Sequence, residues 1–166
     1  KNIPNLLIAF SKIIKNYNNV YLYMAGKDIN SQNKELITYS NKLKIEKKVF
    51  FLNEQKSLLK FYNGIDLLIL TSHSESFPNV IAESMLCSTP VLSSDAGCSK
   101  IIINDYGFIL GKNDYQSIFK NMNKVINFFM NNKSEWRLLK KKSRLQIKKN
   151  FSIPNMANSY LKKWIF

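Results

Sequence analysis

Two glutamates eight positions apart, Glu75 and Glu83, bracket the stretch Ser72-His73-Ser74-Glu75-Ser76-Phe77-Pro78-Asn79-Val80-Ile81-Ala82-Glu83. It follows Leu67 to Leu70, a continuously apolar run of the kind that forms a strand buried on both faces. Pro78 and Asn79 suit the opening of a helix, and an opening helix leaves its first backbone N–H groups, here near Asn79 and Val80, unpaired and pointing outward. Free donors and the positive end of the helix dipole together make an anion site. Glu75 falls in the loop at the strand's carboxyl end and Glu83 about one turn into the helix, so both can face one crevice. A diphosphate on the free amides, with a vicinal diol such as a ribose held by the deeper carboxylate, is the chemistry this spacing allows. On spacing alone, the same pattern also suits a capped helix whose Glu83 is simply exposed.

The elements around this stretch alternate. Leu6, Leu7, Phe10, Ile13, Ile14 and Tyr17 repeat at helical spacing, with Pro4 suited to the opening turn. Val20 to Ala25 is an apolar run of strand length ending at Gly26, and a polar stretch then leads into a helix through Leu43. Val49 to Leu52 is a second strand, Ser57 to Tyr62 a short helix and Leu67 to Leu70 a third strand. Val80 to Leu86 reads as a helix, and Pro90 to Ser93 and Gly107 to Leu110 as strands. Asn113 or Asp114 caps a helix carrying Ile118, Phe119, Met122, Val125, Ile126 and Phe129. Two more helices, Glu135 to Lys149 and Pro154 to Trp164, flank a break at Phe151 and Ser152. Short apolar strands alternating with helices predict an α/β fold, a parallel sheet covered by helices on both faces. In such sheets ligands sit beyond the carboxyl ends of the strands, which singles out the loops after Ala25, Leu52, Leu70 and Ser93.

Composition narrows the partners. At 166 residues and 45% apolar content the chain fits one compact domain. No apolar run approaches the roughly 18 to 20 residues that span a bilayer, and Lys1 to Phe10 lacks the pattern of a secretory signal, so the expectation is a cytoplasmic protein. Cys87 and Cys98 suggest neither a disulfide framework nor a metal site and read as small packing residues. A net charge of +14 invites a nucleic-acid reading. Against it, only Arg137 and Arg144 are arginines, and the aromatics mostly sit at core spacing rather than along a basic groove. Lys140, Lys141, Lys142, Arg144, Lys148 and Lys149 form a local basic run that suits a solvated surface and could also serve an acidic membrane surface. The chain begins at a helix, without Met, whereas a doubly wound domain normally opens with a strand. Residue 1 is therefore expected to lie inside a larger protein.

With these pieces in place, the sequence resembles the family 4 retaining glycosyltransferases of the two-domain GT-B fold. The Glu-x7-Glu signature, Glu75 to Glu83 with Phe77 between, is joined by Met24-Ala25-Gly26, Phe51-Leu52-Asn53, and Tyr62 to Leu70 running into Thr71-Ser72. Glu83-Ser84-Met85, Ser88-Thr89-Pro90-Val91, Gly107-Phe108-Ile109-Leu110 and the Phe151-Ser152 break are similar to the family as well. The resemblance covers nearly the whole chain and implies a Rossmann-like donor-binding domain, the C-terminal half of such an enzyme, with the N-terminal acceptor domain and the first strand lying before residue 1. It implies that Glu83 binds the ribose, that Asn79 and Val80 donate backbone N–H groups to the distal phosphate, and that Glu75, the catalytic residue, contacts the transferred sugar. Ser76, Phe77 and Pro78 complete that loop, Gly26, Asn53 and Glu54 border the nucleoside, and Lys1 is similar to the lysine that grips the diphosphate, although a first residue can also be frayed.

The activity implied is transfer of a hexose from a nucleotide diphosphate sugar, taken as a UDP-sugar, to a glycan or lipid-linked acceptor with retention, in bacterial polysaccharide or glycoconjugate synthesis. Neither metal nor cofactor is called for, and nucleic acid is not a partner. This piece alone is expected to bind donor without turning it over, and peripheral contact with the inner face of a membrane is compatible with the basic run. The alternative is a non-catalytic nucleotide-binding module. Pro78 stands where many members have glycine, and Cys98 and Lys100 follow Gly97 where glycine and glutamate are common, which leaves the role of that loop open. His73 lies near the crevice and reads as a loop or packing residue.

Overall fold

The computed structural model describes residues 1–164. Its first helix, α1, spans Ile3–Asn16 with Pro4 in the opening turn, where the missing N–H has no helical partner to lose. Leu6, Leu7, Ala9, Phe10 and Ile13 form its buried stripe. The strand β1 (Leu22–Met24) buries Leu22 and Met24 and turns Tyr23 outward, as a period of two requires. Next come α2 (Lys34–Lys42), whose Asn33 side chain caps the Leu36 N–H at 3.2 Å, then β2 (Val49–Phe51), α3 (Leu58–Asn63) and β3 (Leu68–Leu70).

The second half continues with α4 (Asn79–Leu86), β4 (Val91–Ser94), α5 (Ser99–Ile103) and β5 (Phe108–Leu110). Three helices end the described chain: α6 (Tyr115–Asn131), α7 (Lys133–Asn150) and α8 (Ile153–Trp164). Asp114 is the cap of α6, its carboxylate accepting the Ser117 N–H at 2.8 Å. The predicted helices and strands are present. The reading placed nothing between Ser93 and Gly107, yet α5 lies there; five residues make little more than one turn, too short for a hydrophobic period to emerge.

All strand pairs are parallel, so the fold is α/β as expected. The strands form two parallel ladders, β1–β2 and β3–β4–β5. Leu22 pairs with Val49, Leu68 with Val91 and Leu92 with Phe108. Among the described residues no ladder joins β1 to β3, so each has one edge whose N–H and C=O groups lack a strand partner. The two ladders nevertheless share a core. Leu22 and Met24 of the first pack in one apolar cluster with Leu92 and Leu110 of the second, beneath α1 and α6.

The strand β4 is the centre of the packing. All four of its residues are buried, and neighbours face opposite ways: Leu92 joins the cluster under α1 and α6, while Val91 joins a second one with Ile81 and Met85 of α4, Ile102 and Ile103 of α5, and Ile147 of α7. Covering both faces removes continuous apolar surface from water, which is worth about 1.5–3 kcal/mol for each fully buried aliphatic side chain. Leu7, wholly inaccessible in this core, should therefore cost about 2–5 kcal/mol when replaced by alanine, since the transfer loss and the cavity add. Leu59→Ala, at a side chain 65% exposed, should stay within about 0.5 kcal/mol. Urea denaturation of both variants measures the contrast.

Candidate functional site

The carboxyl end of β3 is anchored from three sides. Asn2, just before α1, donates its backbone N–H to the Thr71 carbonyl at 3.1 Å. Asn113, before α6, donates its side-chain amide to the Thr71 and Ser72 carbonyls at 3.1 and 3.2 Å. Ser94, at the end of β4, donates its hydroxyl to the Ser72 carbonyl at 2.6 Å. Ser72 is thus fixed before the chain turns outward through Glu75 and Ser76.

That turn is shaped by its neighbour. Gly97 has φ +56°, and a Cβ built on it would stand 2.0 Å from the Glu75 carbonyl oxygen and 2.6 Å from that of Ser76. Cys98 then donates its N–H to the Ser76 carbonyl at 3.1 Å. Only a residue without Cβ permits this backbone approach. The structural part of the Gly97 loop is therefore plain, although the resemblance had left its role open.

Glu75 pairs with Lys1, whose ammonium donates to its carboxylate. Burial alone would raise the Glu75 pKa, but the hydrogen bond and charge of the Lys1 side chain outweigh it and hold the carboxyl below its ordinary value. Lys1 is accordingly brought to the crevice. Pro78, buried, precedes α4, whose first turn has no side-chain cap and no acidic residue. The first bond closing the turn runs from the Ile81 N–H to the Pro78 carbonyl at 3.0 Å, one residue beyond Asn79 and Val80. Ser76, Phe77 and Asn79 are exposed and Val80 is half-buried, so this helix start opens to solvent. Phe77 rests against Phe151, ring centroids 6.0 Å apart, which ties the loop to the break after α7.

Glu83, one turn deeper, is not the freely exposed side chain of a merely capped helix. It is half-buried and accepts a hydrogen bond at 2.8 Å from the hydroxyl of Tyr62. Tyr62 is only 3% exposed, and burial first, then the hydrogen bond and charge of Glu83, raise its hydroxyl pKa well above the ordinary value, so it stays a donor. Thr89 holds the Tyr62 carbonyl at 2.7 Å. In the sequence Tyr62 stands out only as the start of the Tyr62 to Leu70 segment. A tyrosine at the end of a short helix carries no local signal that it reaches a glutamate 21 residues on.

The loops after β1 and β2 also meet. Gly26, at φ +149°, donates its N–H to the Asn53 carbonyl at 3.0 Å, and Asn53 donates to the Ile29 carbonyl with φ +58° of its own. Glu54 is exposed beside them. Among the described residues no hydrogen bond or ion pair joins these loops to Glu75 or Glu83; they share with them the carboxyl ends of parallel strands. His73 is exposed, and Cys87 and Cys98 are free and half-buried. Among the described residues no helix is long and apolar enough to cross a membrane.

Fold and site together define a doubly wound α/β domain with an open helix N-terminus flanked by two carboxylates, each already engaged by a side chain from elsewhere in the chain. Residues 1–150 match the family described as glycosyl transferases group 1, and the chain belongs to that family. It is 28% identical over 131 residues to the capsular polysaccharide biosynthesis glycosyltransferase CapM of Staphylococcus aureus, covering 76% of this chain and 34% of that protein. Among solved structures it superposes on Anabaena HepE in complex with UDP with a TM-score of 0.82 at 20% identity, over 96% of this chain and 44% of the other. A C-terminal domain of a glycosyl transferase group 1 family protein from Francisella tularensis gives a TM-score of 0.75 at 19% identity, covering 92% of this chain and 80% of that domain. The chain thus spans about a third of CapM and under half of HepE, and its fold is that of the C-terminal half of a GT-B glycosyltransferase.

Two measurements check the geometry. Gly97→Ala forces a Cβ into the Glu75 carbonyl on a left-handed backbone that alone costs about 1–3 kcal/mol; it should lower stability by at least that much in urea denaturation and shift the amide resonances of Glu75 and Ser76. In an NMR titration, the Glu75 carboxyl should protonate below the ordinary glutamate value of about 4.3, and in Lys1→Met its midpoint should move up. Because the folded-state pKa is depressed, the pair's contribution to stability is present above the unfolded-state value and is lost as pH falls through the folded one.

Proposed function

We propose that this chain is the donor-binding half of a family 4 retaining glycosyltransferase, one that takes a UDP-sugar and passes its hexose to a glycan or lipid-linked acceptor in the synthesis of a bacterial polysaccharide or glycoconjugate. The observation that carries the reading is the uncapped start of α4, with Lys1 and Glu75 on one side and Glu83 a turn deeper. Free amides and the helix dipole favour a diphosphate there. The Tyr62 hydroxyl occupies one lone pair of Glu83 and leaves others for the two hydroxyls of a ribose. Gly26, Asn53 and Glu54 would border the base. HepE, whose solved complex contains UDP, lends support through its fold.

In this reading the enzyme works by electrostatics. As the glycosidic bond to the donor phosphate breaks, negative charge grows on the departing diphosphate, where Lys1 and the amides of Asn79 and Val80 stabilise it more than they stabilise the bound donor. To reach the diphosphate, Lys1 trades part of its pairing with Glu75, which is then free to orient hydroxyls of the sugar. The acceptor proton passes to a donor phosphate oxygen, so Glu75 positions rather than attacks, and the charge is met without a metal ion. In this reading an acceptor domain, a partner arginine and an additional strand are supplied from outside these 166 residues, and β1 and β3 each keep one edge to which a strand could pair. The isolated chain accordingly binds donor but leaves it intact.

Calorimetry with UDP and a UDP-sugar separates the two carboxylates. Glu83→Gln should weaken both ligands together by about 1.5–3 kcal/mol, the loss of a charged acceptor, and Tyr62→Phe should do the same by about 0.5–1.5 kcal/mol. Glu75→Gln should leave UDP within about 0.5 kcal/mol of the parent while weakening the UDP-sugar. Equal losses of UDP affinity in Glu75→Gln and Glu83→Gln would refute the assignment. Assay of the complete protein with several nucleotide sugars, reading the anomer of the product, separates a retaining transferase from a module that only binds.

A further inference from the structure

The charge of this protein is concentrated away from the donor crevice. Every charged residue after Glu135 is a lysine or an arginine. Trp136, Ser143 and Ile147 are the buried residues of α7, facing the interior against α4 and α6. At 3.6 residues per turn, the opposite side carries Leu138 and Leu145, one heptad apart, flanked by Arg137, Lys141 and Lys148 on one side and Lys142 and Lys149 on the other. The two leucines are 49% and 53% exposed. Arg137, Lys140, Lys141, Arg144 and Lys148 line a groove of about 460 Å³ that reaches Ser88, and among the described residues none of these cations pairs with a carboxylate.

Cations alone would suit any polyanion. The leucines narrow the class, because nucleic-acid surfaces reward stacking aromatics in the groove, and the groove has none. Exposed aliphatic side chains at the centre of a helix face, with lysines on both borders, fit the interface of an anionic bilayer, where the chains enter the headgroup region and the cations meet the phosphates. The position is compatible with catalysis. Ser88 follows the C-terminal end of α4, whereas the donor would sit at its Asn79 end, roughly 12 Å away along an eight-residue helix. We propose that the outward face of α7 is a docking surface for an anionic lipid bilayer, holding the protein on the membrane by the end of α4 remote from the donor crevice.

Co-sedimentation of the protein with vesicles tests this, using pure phosphatidylcholine on the one hand and phosphatidylcholine mixed with phosphatidylglycerol on the other. The parent should bind the anionic vesicles, lose them as salt rises, and ignore the neutral ones. The triple variant Arg137→Gln, Lys141→Gln, Lys148→Gln should bind anionic vesicles about a hundredfold more weakly, roughly fivefold for each cation near the surface. Leu138→Asn with Leu145→Asn should weaken binding to the anionic vesicles at low salt while leaving its steepness with salt unchanged. A far-UV circular-dichroism spectrum and urea midpoint unchanged in both variants show that the domain remains folded. Equal binding to neutral vesicles, a triple variant that binds like the parent, or tighter binding to a duplex oligonucleotide than to anionic vesicles at the same salt would each overturn the proposal.

Discussion

The candidate site depends on one close approach of backbone to backbone. Where the Gly97 turn meets the Glu75 and Ser76 carbonyls there is no room for a Cβ, and the N–H of Cys98 closes the contact. Two loops from adjacent parallel strands are thereby joined beyond their carboxyl ends. The direction in which Glu75 leaves β3 follows from that junction, and so does the place where Pro78 can begin α4. The anchoring of Thr71 and Ser72 by Asn2, Asn113 and Ser94 serves the same end from below.

The two carboxylates are prepared differently, although they stand on one short stretch. Glu75 is in a loop and meets a flexible, half-exposed lysine, so its partner can be exchanged when another anion arrives. Glu83 lies within a helix and meets a buried tyrosine whose own backbone is held by Thr89. A rigid helix on a packed core and a buried donor both reduce the freedom that a carboxylate must otherwise give up on binding a diol. The arrangement leaves the adaptable group in the loop before α4 and the fixed group deeper in the fold.

Packing and charge divide the molecule in a related way. Both faces of β4 are covered, by α1 and α6 on one side and by α4, α5 and α7 on the other, and the helix that completes the second layer also presents the basic face. Because α4 runs from the crevice beside Glu75 toward that face, it links the two surfaces through one rigid element. Its short length keeps them separate while holding them in a constant relation.

Much of this was legible locally. The stripe Leu6, Leu7, Phe10, Ile13 marked α1, the continuous apolar run at Leu67 to Leu70 marked β3, and Pro78-Asn79 marked the start of α4, because each depends on spacing or on the φ preference of nearby residues. The Glu75 to Glu83 interval placed one carboxylate in a loop and the other a turn into a helix for the same reason. Tertiary structure alone decided which partners they meet: Lys1 is 74 residues from Glu75 and Tyr62 is 21 from Glu83. It also decided that Gly97 must lack a side chain, since the obstructing carbonyls belong to a distant loop, and that the strands group into two ladders. Hydrogen bonds between strands and van der Waals limits between loops act across space, so the pattern along the chain does not carry them.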